Sequence, residues 1–302
     1  MNFKLKLNYL RTLFSLKFYP RHILNASYRS VFNKKINWDN PTDLIEKIQW
    51  LQLYSDTSLW TLCSDKYLVR KFVEENGCGH TLNTLYGKWH DAEQIEWSNL
   101  PDSFVIKMNN SCGQNILVKD KIDLDIPVAT KQLKKWMKSK YGYASAQIHY
   151  SRIEPCIIAE KFLMNETNPT QSLIDYKIWC FHGVPEFVLV VYNRTKNNYS
   201  LSAYDLDWNN ISDYAFNKMN QHFSGENIRK PSSFNEMLEV SKKLSQNFPQ
   251  VRIDFYDIDN KAIFGEMTFT TGYGYFSEKF YNYLGSKIYL EKVEKQKKVN
   301  TI

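Results

Sequence analysis

The chain has 302 residues, 43% of them hydrophobic and 24% charged, with a net charge of +7. That is ordinary globular composition, long enough for one large domain or two, and it excludes a disordered or fibrous chain. No run approaches the roughly eighteen uninterrupted apolar residues of a membrane span, and no apolar stretch with a small-residue cleavage site opens the chain, so a cytoplasmic protein is expected.

The positive charge is concentrated at the start, where residues 1–38 hold eight Lys or Arg and no acid. There Leu5, Leu7, Leu10, Leu13, Phe14, Leu16 and Phe18 alternate with Lys4, Lys6, Arg11 and Lys17; the pattern breaks at Tyr19-Pro20 and resumes from Ile23 to Phe32. Two readings are open. Residues 1–35 either lie on an anionic membrane surface or acidic polysaccharide, gaining ~1 kcal/mol per basic residue near an anionic leaflet, or pack their apolar side on the body of the protein.

Pro41-Thr42-Asp43 opens a helix with apolar positions Leu44, Ile48, Leu51 and Leu53, and Ser64-Asp65 resembles the N-cap of a second helix through Val69 and Val73 to Gly77. Lys66 and Arg70, four apart, then share one helical face, which by itself is a solvated basic face. Phe104 to Lys107 is a short strand, followed by the polar loop Asn109 to Asn115 and a return strand Ile116 to Lys119. Such a unit is an ordinary hairpin or a flap whose backbone N–H groups meet phosphates, with Lys107 adding a point charge.

Thr130 to Tyr141 is helical by pattern, and Cys156 to Ala159 is a buried strand ending in Glu160. Asp175 to Phe181, the turn His182-Gly183-Val184-Pro185 and Phe187 to Tyr192 form a hairpin. Lys177 falls on the same side as Trp179 and Phe181, where either a phosphate or Asp175 would compensate it. Leu201 to Trp208 is a further strand, and Phe234 to Phe248 a helix. Val251 to Tyr256 and Ala262 to Met267 flank the turn formers Asp257 to Asn260, a second hairpin with one acid per strand, Asp254 and Glu266. A buried carboxylate is costly without a compensating cation, so these two acids either hold a hard metal beside nucleotide phosphates or point to solvent. The 6 histidines show no metal or nucleophile spacing, and the 5 cysteines contain no Cys-x-x-Cys, so zinc chemistry, a hydrolase triad and a disulfide framework are not expected.

Taken in order, the words SDKYLVRKFV, LPDSFVIKMNNSCGQNILV, IIAEKFL, DYKIWCFHGVP, VRIDFY and FGEMTFTTGYG resemble the TupA-like branch of the ATP-grasp proteins, named for teichuronopeptide synthesis, from about residue 45 to 285. The resemblance implies an α+β ATP-grasp fold, with two α/β subdomains whose antiparallel sheets sandwich the nucleotide, preceded by a helical N-terminal region. The corresponding divisions are a basic arm 1–38, a mainly helical region 39–102, a small subdomain 103–160, a large subdomain 161–290 and a polar tail 291–302. It also implies ATP and Mg²⁺. Lys107 and Lys177 would contact phosphates, Ser111, Cys112 and Gly113 would cover them, and Glu160, Lys161 and Phe162 would border the adenine. Asp254 and Glu266 would hold Mg²⁺, with Thr268 standing where many relatives place a metal-binding asparagine.

Arg252, two residues before Asp254, would hold an acceptor carboxylate or the transferred phosphoryl group, or else bridge to Asp254 or Glu266. Arg194, Lys66 and Arg70 are candidates for the acceptor. The implied reaction joins a carboxylate to an amine through an acylphosphate. The implied partners are a carboxylate-bearing glycan or lipid-linked saccharide and an amino acid or amine, at the inner face of the plasma membrane. The alternatives are a glycosyltransferase using Asp257-Ile258-Asp259 as a metal-binding Asp-x-Asp, although turn formers are expected there anyway, and a non-catalytic nucleotide-binding protein. A basic arm with few interleaved aromatics on a nearly neutral body argues against nucleic acid.

Overall fold

The computed structural model describes residues 19–143, 145–164, 172–195, 197–217 and 221–297; residues 1–18 of the basic arm and 298–302 of the polar tail lie outside them. Two antiparallel sheets organise the chain. The smaller contains β1 (Leu85–Trp89), β2 (Phe104–Met108), β3 (Asn115–Val118) and β4 (Ile157–Lys161) in the order β1-β4-β2-β3. The larger contains β5 (Asp175–Phe181), β6 (Val184–Tyr192), β7 (Ser200–Tyr204), β8 (Val251–Ile258) and β9 (Lys261–Thr268) in the order β7-β6-β5-β8-β9.

Side chains alternate between the two faces of each strand; the small sheet packs one face on its own core, whereas the large sheet is buried on both, with every residue of β5 buried. In the small sheet Phe104, Ile106, Ile157 and Ala159 are buried with Leu133 of the helix Ile126–Met137, which leaves Lys107 and Glu160 on the opposite face. In the large sheet Ile178, Cys180, Val251 and Ile253 are buried with Met237 and Leu244 of the helix Phe234–Ser245, and Lys177, Arg252 and Asp254 take the other face.

Several boundaries differ from the sequence expectations for local reasons. The helix expected over 130–141 runs Ile126–Met137, because Asp125 caps it by accepting from the Val128 N–H and Pro127 suits its first turn. The strand expected to reach Trp208 stops at Tyr204, because the Asp205 carboxylate accepts from the Asn209 N–H at 2.7 Å and Trp208 turns left-handed at φ 72°. The helix expected to reach Phe248 ends at Ser245. β1 comes from the stretch 39–102, so that mainly helical region also supplies the edge strand of the small sheet.

The described part of the basic arm packs on the body. The helix Pro20–Phe32 buries Leu24 and Tyr28, the Tyr28 hydroxyl donates to Asp43, and Phe32 meets Tyr281 edge-on at 5.2 Å. Asp43 caps the helix Leu44–Tyr54, so one buried carboxylate ties the arm to the first helix of the body. Among the described residues no helix is long and apolar enough to cross a membrane.

Candidate functional site

The hairpin β8–β9 turns at Asp259 and Asn260, both with positive φ, the geometry that Asx residues tolerate in a two-residue hairpin turn. From that turn the strands pair Phe255 with Phe264, and uninterrupted pairing would place Gly265 opposite Asp254. A bulge intervenes. Asp254 pairs with Glu266 and Arg252 with Thr268, so the extra residue Gly265 brings Glu266 and Thr268 round to the face of Asp254. On the other side of β8, Asp254 pairs with Lys177 of β5. Three adjacent strands thus present Lys177, Asp254 and Glu266 in one row.

These charges compensate one another. Arg252 makes a two-pronged contact with Asp254, Nε to Oδ1 at 2.7 Å and Nη2 to Oδ2 at 2.8 Å, and reaches the Thr268 hydroxyl at 3.0 Å and Glu266 at 3.4 Å. Lys177 contacts Asp254 and also Asp175 at 2.9 Å, and Arg194 reaches Asp175 at 3.0 Å. Burial works against charge on Asp254, but Arg252 and Lys177 outweigh it and hold the carboxyl below its ordinary range. Asp175 behaves oppositely: burial dominates and raises it despite Lys177. Of the two readings of Arg252, the geometry contains the bridge to Asp254 and Glu266.

The small sheet contributes a second cluster. Lys107 meets Glu160 at 2.7 Å, and Arg70 approaches the other oxygen of Glu160 at 3.6 Å while donating to the Asn83 carbonyl at 2.8 Å. In the β2–β3 loop Ser111 is buried, whereas Cys112 is exposed and Gly113 adopts φ 73°. Lys161 bonds through its backbone to Thr84 and Asn83, and Phe162 follows it beyond the strand end.

Lys66 joins the two clusters. Its ammonium donates to the Ser111 carbonyl at 2.6 Å and lies 3.9 Å from Glu266, so it spans the cleft between the sheets. Burial pulls its pKa down, Glu266 opposes that, and Lys107 adds to it. Contrary to the expected shared helical face, Lys66 sits in the turn before the helix Val69–Glu75, and only Arg70 is helical. The turn is held by Asp65, which the sequence pattern places with Ser64 at the start of the helix, and by Asn109, which it places only in the polar loop. Asp65 accepts from the Tyr67 and Leu68 N–H groups and from the Asn109 amide at 2.8 Å, while the Lys66 N–H donates to the Asn109 carbonyl at 3.0 Å. Asn109 also accepts from Cys156 N–H at 2.7 Å, which stitches helix, loop and β4 together. The signal available in the sequence was the pair of polar residues Asn109-Asn110 directly after an apolar strand.

Around the cleft, six cations (Lys66, Arg70, Lys107, Lys177, Arg194 and Arg252) contact four carboxylates (Glu160, Asp175, Asp254 and Glu266), an excess of positive charge suited to a polyanion. Among the described residues no group of three or more His, Cys, Asp or Glu is arranged to hold a metal. Asp254 and Glu266 supply one pair of carboxylates on neighbouring strands. One or two carboxylates with phosphate oxygens is the usual donor set for Mg²⁺, so the donor types fit that ion. Both Asp254 oxygens already contact cations, and the Thr268 hydroxyl donates to Glu266 at 3.3 Å while accepting from Arg252, so Glu266 has the most coordinating capacity left. Asp257 lies apart: it accepts from Ser233 Oγ at 2.7 Å and the Ser232 N–H at 3.0 Å at the start of the helix Phe234–Ser245.

A family model for TupA-like ATP-grasp proteins matches residues 46–289. Among solved structures, the chain is similar to a D-alanine–D-alanine ligase from Bacillus anthracis complexed with ATP, at 13% identity and a TM-score of 0.45, covering 76% of this chain and 62% of that one. It is also similar to N5-carboxyaminoimidazole ribonucleotide synthetase from Thermus thermophilus, at 9% identity and a TM-score of 0.42, covering 73% and 49%. The chain therefore spans less than two thirds of the length of either protein. No curated protein matches it.

Proposed function

The chain belongs to the TupA-like ATP-grasp family, and from that premise we propose that it is an ATP-dependent carboxylate–amine ligase. The observation that carries this reading is Lys66, which bridges the loop Ser111 to Gly113 of one sheet and Glu266 of the other inside a cleft with excess positive charge. A triphosphate requires such a cleft, because phosphoryl transfer is catalysed mainly by positioning and charge neutralisation.

In this reading Lys107 and Lys177 contact the phosphates, Ser111, Cys112 and Gly113 cover them, and Glu160, Lys161 and Phe162 border the adenine. Asp254 and Glu266 are the residues that would hold Mg²⁺, which when bound supplies neutralisation of phosphate charge. A substrate carboxylate oxygen attacks the γ-phosphorus and the bond to the β,γ-bridging oxygen breaks, giving an acylphosphate and ADP. The amine nitrogen then attacks the acyl carbon, phosphate leaves with its oxygen, and the amine loses a proton. Arg194 holds the anionic acceptor or the phosphoryl group, because a guanidinium fork suits both, while Arg252 stays bridged to Asp254 and Glu266 and fixes the two carboxylates.

The acceptor is a uronic-acid carboxyl of a surface glycan or lipid-linked saccharide, and the amine an amino acid, at the inner face of the membrane. This finer assignment is supported by the family's association with teichuronopeptide synthesis and by the acid-free basic arm. The glycosyltransferase alternative loses support because Asp257 is occupied at a helix start and Asp259 forms the hairpin turn. The test is ADP release from Mg-ATP with pairs of uronic-acid oligosaccharides and amino acids. Release that needs both partners supports the ligase; transfer from a nucleotide-sugar without ADP release rejects it.

A further inference from the structure

Beside the reaction centre lies a cavity of about 420 Å³, between the end of the helix Ile126–Met137 and the segment leading to β4. Its walls include Tyr141, Tyr143 and Tyr150, its rim Lys138 and Lys140, and its inner end Asn110; no acid lines it. Tyr141 and Tyr150 meet edge-on at 5.3 Å, and the Lys140 ammonium lies 5.4 Å from the Tyr143 ring. Asn110 precedes Ser111, whose carbonyl receives Lys66, and Lys66 in turn faces Glu266; the Tyr141 hydroxyl is hydrogen-bonded to the Cys112 backbone, so the cavity wall borders the loop Ser111 to Gly113. The Gln147 amide donates to the Thr270 hydroxyl at 2.9 Å, which fixes the cavity wall to the loop after β9.

We propose that this cavity is the subsite for the carboxylate-bearing substrate, and that it takes an anionic sugar ring. The proposal rests on the ligase reading and deepens it. Of the two partners of an amide ligation, one is an anion and the other carries a cationic amine before it reacts. Two ammonium groups without a carboxylate attract the first and repel the second. Tyrosine side chains combine an apolar body with a polar tip, which suits the alternating C–H and hydroxyl surface of a sugar. The volume falls within the range of about 300–1,000 Å³ usual for small-molecule sites.

The experiment is isothermal titration of the full chain, saturated with Mg-ADP, with D-glucuronate and with uncharged D-glucose, on wild type and on the double variant Lys138→Ala/Lys140→Ala. Glucuronate is expected to bind wild type at least about tenfold more tightly than glucose, and the double variant is expected to lose about tenfold in glucuronate affinity while keeping its Mg-ADP affinity. Glucuronate binding that is no tighter than glucose binding, or that survives the double substitution, overturns the subsite. Failure of wild type to bind Mg-ADP instead overturns the ligase reading itself, so the two failures are distinguishable.

Discussion

Asp254 of β8 stands directly across from Glu266 of β9 because Gly265 is an extra residue in the second strand. A Cβ at Gly265 would lie 3.0 Å from the Asp254 carbonyl oxygen, so a side chain there would push the β8 backbone away by a few tenths of an ångström. Gly265→Val is therefore expected to destabilise the protein by about 1–3 kcal/mol, the usual cost of overpacking. It should also weaken nucleotide binding by moving Glu266. Thermal unfolding with and without Mg-ATP checks both effects, and unchanged nucleotide stabilisation would detach the bulge from the site.

Lys177→Ala separates charge compensation from nucleotide chemistry. Without Lys177, Asp175 keeps Arg194 and Asp254 keeps the two-pronged contact of Arg252, so no carboxylate is left alone. The variant should remain folded yet lose ADP release by about 10²–10³-fold, the scale of removing one preorganised transition-state donor. Circular dichroism together with an ADP-release assay reads this, and wild-type turnover would remove Lys177 from the site.

His149 makes stability depend on pH. It is fully buried among Trp60, Tyr150 and Phe269, neither ring nitrogen has a hydrogen-bond partner, and burial pushes its pKa down to about 3. A histidine that is neutral when folded takes up a proton on unfolding below about pH 6.5, so its stabilising contribution is complete above that pH and is lost as pH falls toward the folded value. Each unit of separation is worth ~1.4 kcal/mol, so a loss of a few kcal/mol is expected between pH 6.5 and 4. His149→Leu should flatten that dependence, as measured by denaturant melts across the window.

The arm is tested at Tyr28, which is fully buried and donates to Asp43. Tyr28→Ala should cost about 3–5 kcal/mol, as for other large aromatic truncations in cores. A change below about 1 kcal/mol, the typical surface effect, would mean that the arm does not stabilise the body.

Much of this arrangement was legible in the sequence. The β8–β9 hairpin announced itself by two apolar runs around Asp257 to Asn260, and Lys107 and Lys177 by cations within apolar strands. The bulge at Gly265 was not legible, because a glycine in a strand signals several structures and only the pairing on both sides of it fixes the register. Nor was the bridging position of Lys66, since Asp65 and Asn109 are brought together from sequence positions far apart. The helix start at Asp125 was readable from its cap and Pro127, whereas the apolar positions Leu133, Trp136 and Met137, which carry the helical period, all lie in its second half.

The most direct test of the central claim is the thermal shift of the purified chain with Mg-ATP, Mg-ADP and a panel of nucleotide-sugars, in wild type and Glu266→Gln. A ligand at a hundred times its Kd stabilises the native state by about 2.7 kcal/mol. The account predicts stabilisation of wild type by the adenine nucleotides alone, and its loss in Glu266→Gln. Stabilisation by a nucleotide-sugar with none by Mg-ATP would contradict it.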